Sequence, residues 1–235
     1  MTADRGLLLY VYRGLLFKVA DGVQTPKAGS LLFVPHLDFR PGERVLELGT
    51  GVGLAAVLAA KAGCHVIATD VVPEATACAR ENAVLNGIGN RVEVRVGDCY
   101  DPVRGMSFDL ICSNPPQMPT PPGREREGPV AAADNGGLGG WEILDKVIQG
   151  APAHLAPGGR LVFTIFAFLG LKAAFSKLEA AGLKPSVLGS EVQPFPRIGY
   201  ERLDHIRSLD REGVLAGAGV PRSIERFVIE GALPG

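Results

Sequence analysis

The sequence predicts an α/β protein in which a mostly parallel, seven-stranded sheet carries helices on both faces. Segments with a strand pattern alternate with segments of helical composition from residue 44 onwards, and this alternation is typical of a parallel sheet. A glycine-rich turn at residues 49–53 follows the first of these strands. The chain of 235 residues is also long enough for one α/β domain with a substantial core.

The composition is that of a globular protein. Apolar residues make up 46% and charged residues 21% of the chain. No apolar run reaches the roughly 20 residues that are needed to cross a bilayer. Arg13 interrupts the apolar stretch at residues 7–12, and no cleavage pattern follows it. We therefore expect a cytoplasmic protein without membrane association.

The charge pattern disfavours a protein that holds nucleic acid through its overall field. The net charge is −1, and no run of like charges occurs. Acidic residues interleave the arginines of the last third of the chain. This interleaving predicts a mixed, solvated surface for five arginines, Arg202, Arg207, Arg211, Arg222 and Arg226.

The cysteines show no pattern of a metal site or of a redox motif. There is no C-x-x-C pair, and the spacing to the four histidines is not that of metal ligands. Each cysteine falls within or beside a predicted strand or helix. We expect small, buried, reduced side chains for Cys64, Cys78, Cys99 and Cys112.

A hairpin and a helix are predicted ahead of the alternating region. Two apolar runs in residues 6–20 flank a possible turn at Arg13-Gly14. The next segment predicts a helix with Thr25 as N-cap and Pro26 at its first position. This helix extends to about Asp38 and is ended by Pro41-Gly42.

Seven strands and four helices are predicted in the alternating region. The strands are 44–48, 65–70, 92–96, 108–113, 160–166, about 183–188 and 226–230. The helices are 53–62, 73–87, 141–155 and 171–180. A turn is expected at residues 156–159. A ligand of such a sheet binds beyond the carboxyl ends of the strands, where their order reverses.

The glycine turn favours a ligand with a positive charge. Its spacing is G-x-G-x-G, whereas a dinucleotide enzyme presents G-x-G-x-x-G to a pyrophosphate. Glu47 stands just before Gly49, and a carboxylate is a poor neighbour for phosphate but a good partner for an ammonium group. Gly49 and Gly51 permit a tight turn with close backbone approach, and Gly53 permits close helix packing.

Two further acids follow the next two strands. Asp70 can accept hydrogen bonds from both hydroxyls of a ribose, because a carboxylate has two acceptor oxygens. Asp98 can accept from an exocyclic amine such as adenine N6. Three acids at the ends of three successive strands therefore predict a pocket for a positively charged nucleoside.

The fourth strand ends in Ser113-Asn114-Pro115-Pro116, which is suited to hold a planar –NH2 group. The two prolines lack N–H groups, so the turn exposes carbonyl oxygens, and Asn114 adds a side-chain carbonyl. Two acceptors on a rigid turn can bind both hydrogens of the group and aim its nitrogen. Such positioning needs no strong base.

In these motifs the sequence resembles the Rossmann-like class I S-adenosylmethionine-dependent methyltransferases, over roughly residues 25–230. The resemblance implies the fold predicted above and S-adenosyl-L-methionine as cofactor. It gives the methionine end to Glu47 and the glycines, the ribose to Asp70 and the adenine to Asp98. The full cofactor set that we predict is Glu47, Gly49, Thr50, Gly51, Gly53, Asp70, Val71, Asp98, Cys99 and Asn114.

The Asn-Pro-Pro motif is similar to that of enzymes that methylate amide or exocyclic amino nitrogens, and the resemblance makes Asn114, Pro115 and Pro116 catalytic. Those families carry Tyr or Phe after the second proline, where this chain has Gln117. The missing aromatic removes a stacking surface for a flipped base, which favours an amide acceptor.

Residues 22–26 and 128–138 resemble the HemK-type protein-glutamine N5-methyltransferases. On this basis Thr25 and Gln117 are predicted to contact the substrate.

The expected acceptor is a glutamine-like amide of a protein, peptide or small metabolite. The chain departs from the HemK type in lacking its helical amino-terminal domain and in having a long segment at 191–223. We expect residues 1–40 to cover the active site and residues 41–235 to bind the cofactor, with loops 118–135 and 191–223 framing the entrance. An enzyme acting on adenine N6 or guanine N2 of rRNA or tRNA, and a silent cofactor-binding scaffold, are the alternatives.

Overall fold

The computed structural model describes residues 8–217 and 219–235. Residues 6 and 7 of the predicted hairpin lie outside this part. The rest of the hairpin is confirmed: β1 (Leu8–Tyr12) pairs antiparallel with β2 (Leu15–Val19) across the turn at Arg13 and Gly14.

The seven-stranded, mostly parallel sheet is confirmed. Its strands are β3 (Arg44–Leu48), β4 (His65–Asp70), β5 (Val92–Val96), β6 (Phe108–Ser113), β7 (Leu155–Phe166), β8 (Lys184–Pro194) and β9 (Ser223–Ala232). They lie in the order β5-β4-β3-β6-β7-β9-β8, and only β9 runs antiparallel to its neighbours. The strand order reverses between β3 and β6, so a ligand site is expected beyond their carboxyl ends.

Eight α-helices lie in the described residues. They are α1 (Ala28–Phe33), α2 (Leu54–Lys61), α3 (Pro73–Leu85), α4 (Pro129–Ala132), α5 (Glu142–Gly150), α6 (Leu171–Ala180), α7 (Arg197–Glu201) and α8 (Leu203–Leu209). The short helices α4, α7 and α8 were not predicted, because each falls in a loop without a clear apolar period. They belong to the two loops that were expected to frame the entrance.

The apolar core has two layers, one on each face of the sheet. Alternate residues of a strand point to opposite faces. Accordingly Val45 and Leu110 pack with α2 and α3, whereas Leu46 and Ile111 pack with α5 and α6. All four side chains are buried, as are most strand residues in the centre of the sheet. Helices on both faces of a parallel sheet explain this burial.

Three predicted element boundaries were wrong. Lys27, not Thr25, is the N-cap of α1, because the first helical hydrogen bonds are accepted by the Lys27 carbonyl. The predicted turn at 156–159 lies inside β7, where Gly158 (φ +73°) shifts the register against β6. Strands β8 and β9 extend well beyond their predicted ends, since they pair with each other over their whole length.

The prediction of buried thiols is confirmed for three of the four cysteines. Cys64, Cys78 and Cys112 are buried free thiols, and Cys99 is half-buried. No group of residues in the described part of the chain could hold a metal ion. The same part contains no helix that is long and apolar enough to cross a membrane.

A buried ion pair joins the segment before β3 to β7. The Arg160 guanidinium donates to both carboxylate oxygens of Glu43 at 2.7 and 3.1 Å and to the Asp38 carbonyl at 2.6 Å. Only about a tenth of either charged side chain is exposed, at 10% and 11%. The ion pair is therefore shielded from water at the amino-terminal ends of these strands.

We expect Arg160→Ala to lower the free energy of unfolding by about 3 kcal/mol, because it leaves the Glu43 carboxylate buried without a partner. Denaturant unfolding followed by circular dichroism measures this loss. Arg104→Ala is the matched control, since Arg104 pairs with Asp101 on the surface, where an ion pair contributes little. Equal denaturant midpoints of unfolding for the wild type and Arg160→Ala would contradict the structural importance of the pair.

Candidate active site

A cavity of about 1020 Å³ lies beyond the carboxyl ends of β3, β4, β5 and β6. Its size is at the upper end of small-molecule sites. Residues 49–52 of the glycine turn and the acids Glu47, Asp70 and Asp98 line one half, together with Val71 and Cys99. The Asn-Pro-Pro turn lines the other half. The structure thus brings nearly all the sequence-predicted site residues to one place.

The glycine turn leaves open space on the cavity side. Gly49 and Gly51 have φ angles of +74° and +55°, which favour glycine, and a Cβ atom at either position would meet no atom within 4 Å. A ligand can therefore approach the backbone closely at both residues. Gly53 does not line the cavity; a Cβ atom there would lie 3.0 Å from Ala79 of α3. The structure shows Gly53 as a packing position between α2 and α3.

Glu47 is a buried carboxylate in the floor of the cavity. One of its oxygens accepts hydrogen bonds from Thr50 Oγ1 at 2.6 Å and from the Ala56 backbone N–H at 3.0 Å. Burial raises its pKa to about 7, and the nearby Asp70 carboxylate adds to this effect. No cationic side chain among the described residues pairs with Glu47. A positively charged ligand would favour its ionised form.

Asp70 connects the end of β4 to the glycine turn. Its carboxylate accepts the Gly51 N–H through one oxygen and the Val72 N–H through the other, both at 3.0 Å. Burial raises its pKa despite these hydrogen bonds. Each oxygen keeps a free lone pair, so Asp70 can still accept from two hydroxyl groups.

Asp98 is more exposed and already has a partner. Lys146 Nζ of α5 donates to it at 2.7 Å and, through that hydrogen bond, lowers the pKa of Asp98. The next residue, Cys99, has a φ of +44°, an uncommon conformation for a residue with a side chain. Such backbone outliers cluster at functional sites. Both residues line the cavity beside Gly97.

This half of the cavity fits S-adenosylmethionine. The buried, unpaired Glu47 suits an ammonium group, and the open glycine turn gives space for the methionine chain. Asp70 suits two ribose hydroxyls, and Val71 offers an apolar surface next to it. The fit lies in the chemical groups that line this wall, each of which suits one part of the cofactor.

The Asn-Pro-Pro turn is held by side chains from three other elements. Asn114 Oδ1 accepts from Thr164 Oγ1 of β7 at 2.7 Å and from Arg226 Nη1 of β9 at 3.3 Å. Asn114 Nδ2 donates to Ser30 Oγ of α1 at 3.3 Å. Ser113 Oγ donates to the Leu48 carbonyl at 2.9 Å and ties β6 to β3. The turn is therefore fixed to the sheet.

Gln117 is a structural anchor of this turn. Its side chain is 3% exposed, donates to the Thr164 carbonyl at 3.1 Å and accepts the Phe166 N–H at 2.7 Å. Both ends of its amide are thus used by β7. Gln117 also lines the cavity, and its contact with the substrate stays a prediction. Gln117 thus places a hydrogen-bonded amide after the second proline, where related motifs have an aromatic ring.

The walls of the cavity come from the amino-terminal segment and from the two long loops. Residues 22–30, including Thr25, form one wall, and residues 132–135 and 193–198 form a second wall that adjoins it. Gln193 Nε2 donates to the Ala28 carbonyl at 3.0 Å, and Lys27 Nζ lies 3.7 Å from an Asp134 carboxylate oxygen. Arg202 fastens the second wall: it is 2% exposed and donates to the carbonyls of Arg124 and Asp134. Arg202 and Arg226 are buried, so the predicted solvated surface was wrong for both.

Three site residues were missed from the sequence: Thr164, Ser30 and Arg226. A signal existed for two of them. Thr164 is a hydroxyl residue inside the otherwise apolar run at 161–166, and Arg226 alternates with Ile224 and Val228 along β9. Ser30 carries no comparable signal, because it lies on a short helix of mixed composition.

Comparison with known proteins decides the family. The sequence model described as "Methyltransferase small domain" matches residues 22–120. A Methanocaldococcus jannaschii protein that carries the name of a protein N5-glutamine methyltransferase is 31% identical over 186 residues, which cover 79% of this chain and 93% of that protein. The chain belongs to the methyltransferase small-domain family. Membership implies S-adenosylmethionine as the methyl donor.

Other relatives of this methyltransferase are longer. The release factor glutamine methyltransferase of Cereibacter sphaeroides is 37% identical over 182 residues, which cover 74% of this chain but 64% of that protein. The chain thus spans less than two thirds of this relative. In the solved Mtq2–Trm112 complex of E. cuniculi, described as responsible for methylation of the termination factor eRF1, one chain superposes with a TM-score of 0.57 at 17% identity. The alignment covers 90% of this chain and 99% of that one, and it supports the fold alone.

We expect the affinity for S-adenosylmethionine to rise by about tenfold from about pH 6 to about pH 8, as Glu47 ionises around its pKa of about 7. A carboxylate attracts the cationic ligand and a neutral carboxyl does not, so the affinity increases with pH. Isothermal titration calorimetry at several pH values measures this change. Glu47→Gln, titrated alongside, corrects for ionisation of the ligand itself. Identical pH profiles for the wild type and the variant would contradict the role of Glu47.

Proposed function

We propose that this chain is an N-methyltransferase that uses S-adenosylmethionine to methylate an amide nitrogen, in a glutamine-like group of a protein, a peptide or a small metabolite. The observation that carries the proposal is the position of the Asn114-Pro115-Pro116 turn. It lies at the end of β6, between the carboxylate-lined half of the cavity and the walls formed by the long loops. An acceptor bound at the turn would face a donor bound over Glu47 and Asp70.

On this proposal, the cofactor is held by the residues of the first half. Glu47 takes the ammonium group, Gly49 and Gly51 adjoin the methionine chain, and Asp70 takes the ribose hydroxyls. Asp98 accepts from the adenine amine through its oxygen that Lys146 leaves free. Thr50, Val71 and Cys99 complete the wall that they line.

The acceptor amide is oriented by two oxygen atoms, Asn114 Oδ1 and the Pro115 carbonyl oxygen. Each accepts one hydrogen of the planar –NH2 group, which turns the nitrogen lone pair out of conjugation and towards the donor. Bound S-adenosylmethionine supplies an electrophilic methyl group on a sulfonium sulfur. The oriented nitrogen would take up this methyl group, and the sulfur would keep the electron pair of the broken carbon–sulfur bond. The methylated nitrogen would then release its proton to water.

This chemistry depends on positioning and requires no strong base. His205 is not placed to act as a base. Its Nε2 forms a hydrogen bond with the Leu138 carbonyl at 2.8 Å, and the residue does not line the cavity. The acceptors on the turn are rigid because Thr164 donates to Asn114 Oδ1 and Gln117, which is anchored on β7, donates to the Pro115 carbonyl at 3.3 Å. Pre-organised acceptors lower the barrier without moving during the reaction.

Relatives of the chain support an amide acceptor over a nucleobase. The M. jannaschii and C. sphaeroides proteins carry the names of glutamine methyltransferases, and a relative in Bradyrhizobium diazoefficiens is named for glutamine methylation of ribosomal protein uL3. The position after the second proline also lacks an aromatic ring. Gln117 points into the sheet and provides no stacking surface for a base.

We further propose that residues 1–40 act as a cover over the site carried by residues 41–235. The supporting contacts come from β2 and from α1. Lys18 of β2 exchanges backbone hydrogen bonds with the Asn82 side chain of α3, and Ser30 of α1 reaches Asn114. Thr25 and Pro26, between these contacts, line the cavity.

Incubation of the full chain with methyl-labelled S-adenosylmethionine and a cell extract tests the proposal. The extract is divided into protein, RNA and small-molecule fractions after the reaction. We expect label in the protein or small-molecule fraction, and acid hydrolysis, which cleaves a side-chain amide, should release it as methylamine that mass spectrometry detects. Label in RNA alone would contradict the amide acceptor. A lack of label in every fraction, despite tight cofactor binding, would favour a silent scaffold.

Asn114→Ala and Asn90→Ala are the matched variants for this assay. Asn114→Ala removes one of the two acceptors, so transfer should fall below detection while the cofactor affinity stays within about tenfold. Asn90 lies exposed in a turn before β5, and its replacement should leave transfer unchanged. Equal losses of transfer and cofactor binding in Asn114→Ala would show that Asn114 serves the cofactor instead of the acceptor.

A further inference from the structure

Three buried arginines of this chain differ in how their charge is satisfied. Arg160 forms a two-point ion pair with Glu43. Arg202 donates to four oxygen atoms, on Thr120, Asp134, Arg124 and Asn135. Arg226 is 9% exposed, yet among the described residues its guanidinium donates only to Asn114 Oδ1, at 3.3 Å. A buried cation with so few acceptors requires an explanation.

The surroundings of Arg226 hold it in place without neutralising it. Its guanidinium carbon lies 3.8 Å from the centre of the Phe166 ring, which provides a cation–π contact. Its Nε–H is buried and has no hydrogen-bond partner. The Arg226 side chain packs closely against Gly29 of α1, where a Cβ atom would collide with the guanidinium. Burial lowers the pKa of Arg226 to about 10, so the group is still protonated at neutral pH.

No carboxylate in the described part of the chain pairs with Arg226. Glu191 lies opposite Arg226 on β8, but its side chain is exposed and accepts a hydrogen bond from Gln193 Nε2 at 2.9 Å. The acids of the first half of the cavity stand on β3, β4 and the loop after β5. Arg226 stands on β9, across β6 and β7 from them. The cation therefore lies on the acceptor side of the Asn-Pro-Pro turn.

We propose that Arg226 binds a carboxylate group of the methyl acceptor. The proposal rests on the proposed function for the identity of the ligand as the acceptor. A guanidinium presents several N–H donors in a planar fork that matches the two oxygens of a carboxylate. A carboxylate would also compensate the buried charge, which a neutral ligand does not do.

The geometry limits the spacing between this carboxylate and the amide. Arg226 Nη1 is 3.3 Å from Asn114 Oδ1, the atom that we propose to accept a hydrogen of the amide. One ligand can therefore contact both residues only if its carboxylate and amide are a few bonds apart. An acceptor with these groups on the same short chain would displace the long Arg226–Asn114 hydrogen bond and would leave the Thr164–Asn114 bond in place.

Binding of two small probes to the full chain, saturated with S-adenosylhomocysteine, tests the proposal. Succinamate carries an amide and a carboxylate, whereas succinamide carries two amides and no charge. We expect the wild type to bind succinamate at least about tenfold more tightly, as measured by NMR titration, because of the charge-assisted contact. Arg226→Gln should remove this preference, and Arg226→Lys should keep part of it.

Arg197→Gln is the matched control, since Arg197 also lines the cavity but is exposed on α7. It should retain the preference for succinamate. Affinity for S-adenosylhomocysteine, measured on each variant, reports correct folding and should change less than about threefold. A wild type without preference, or a preference that survives Arg226→Gln, would overturn the proposal.

A large loss of S-adenosylhomocysteine affinity in Arg226→Gln would also overturn it, because Arg226 would then bind the carboxylate of the cofactor. The probes report binding and do not require methyl transfer. Failure of the labelling experiment with an intact succinamate preference would therefore count against the proposed reaction and leave the carboxylate site standing. Label on an amide without a preference for succinamate would support the proposed reaction and count against the carboxylate site.

Discussion

The hydrogen bond from Thr164 Oγ1 to Asn114 Oδ1, 2.7 Å long, is the contact on which the site depends. It joins the turn after β6 to the neighbouring strand β7. Gln117 reinforces this junction through its own hydrogen bonds to β7. The acceptor atoms of the turn are thus placed by the sheet. A site that is built on strands keeps its geometry more accurately than one carried by loops alone.

The junction also separates two halves of opposite electrostatic character. Glu47 and Asp70 stand on the β3 and β4 side, where burial raises the pKa of both carboxyl groups. Arg226 stands on the β9 side, where burial lowers the pKa of its guanidinium. Each half holds charge that the described residues do not neutralise. A cationic donor on one side and an anionic acceptor on the other would complement both.

The sequence was sufficient to predict the sheet and the first half of the site. The glycine turn and the acids follow strands with clear apolar patterns, so their common location follows from parallel topology. The anchors of the Asn-Pro-Pro turn were not predictable in the same way, because Thr164 and Arg226 reach it from strands distant in sequence. The anchoring role of Gln117 was not predictable for a related reason: a polar residue in a proline-rich loop gives no sign that β7 will satisfy both ends of its amide.

A crystal structure of the full chain with S-adenosylhomocysteine and N-acetylglutamine tests most directly whether the turn holds a planar amide. We expect the amide nitrogen of the probe to lie about 3 Å from both Asn114 Oδ1 and the Pro115 carbonyl oxygen. Thr164 should still donate to Asn114. A probe whose amide lies away from the turn, with the nitrogen beyond hydrogen-bond distance of both oxygens, would contradict the proposed site of methyl transfer.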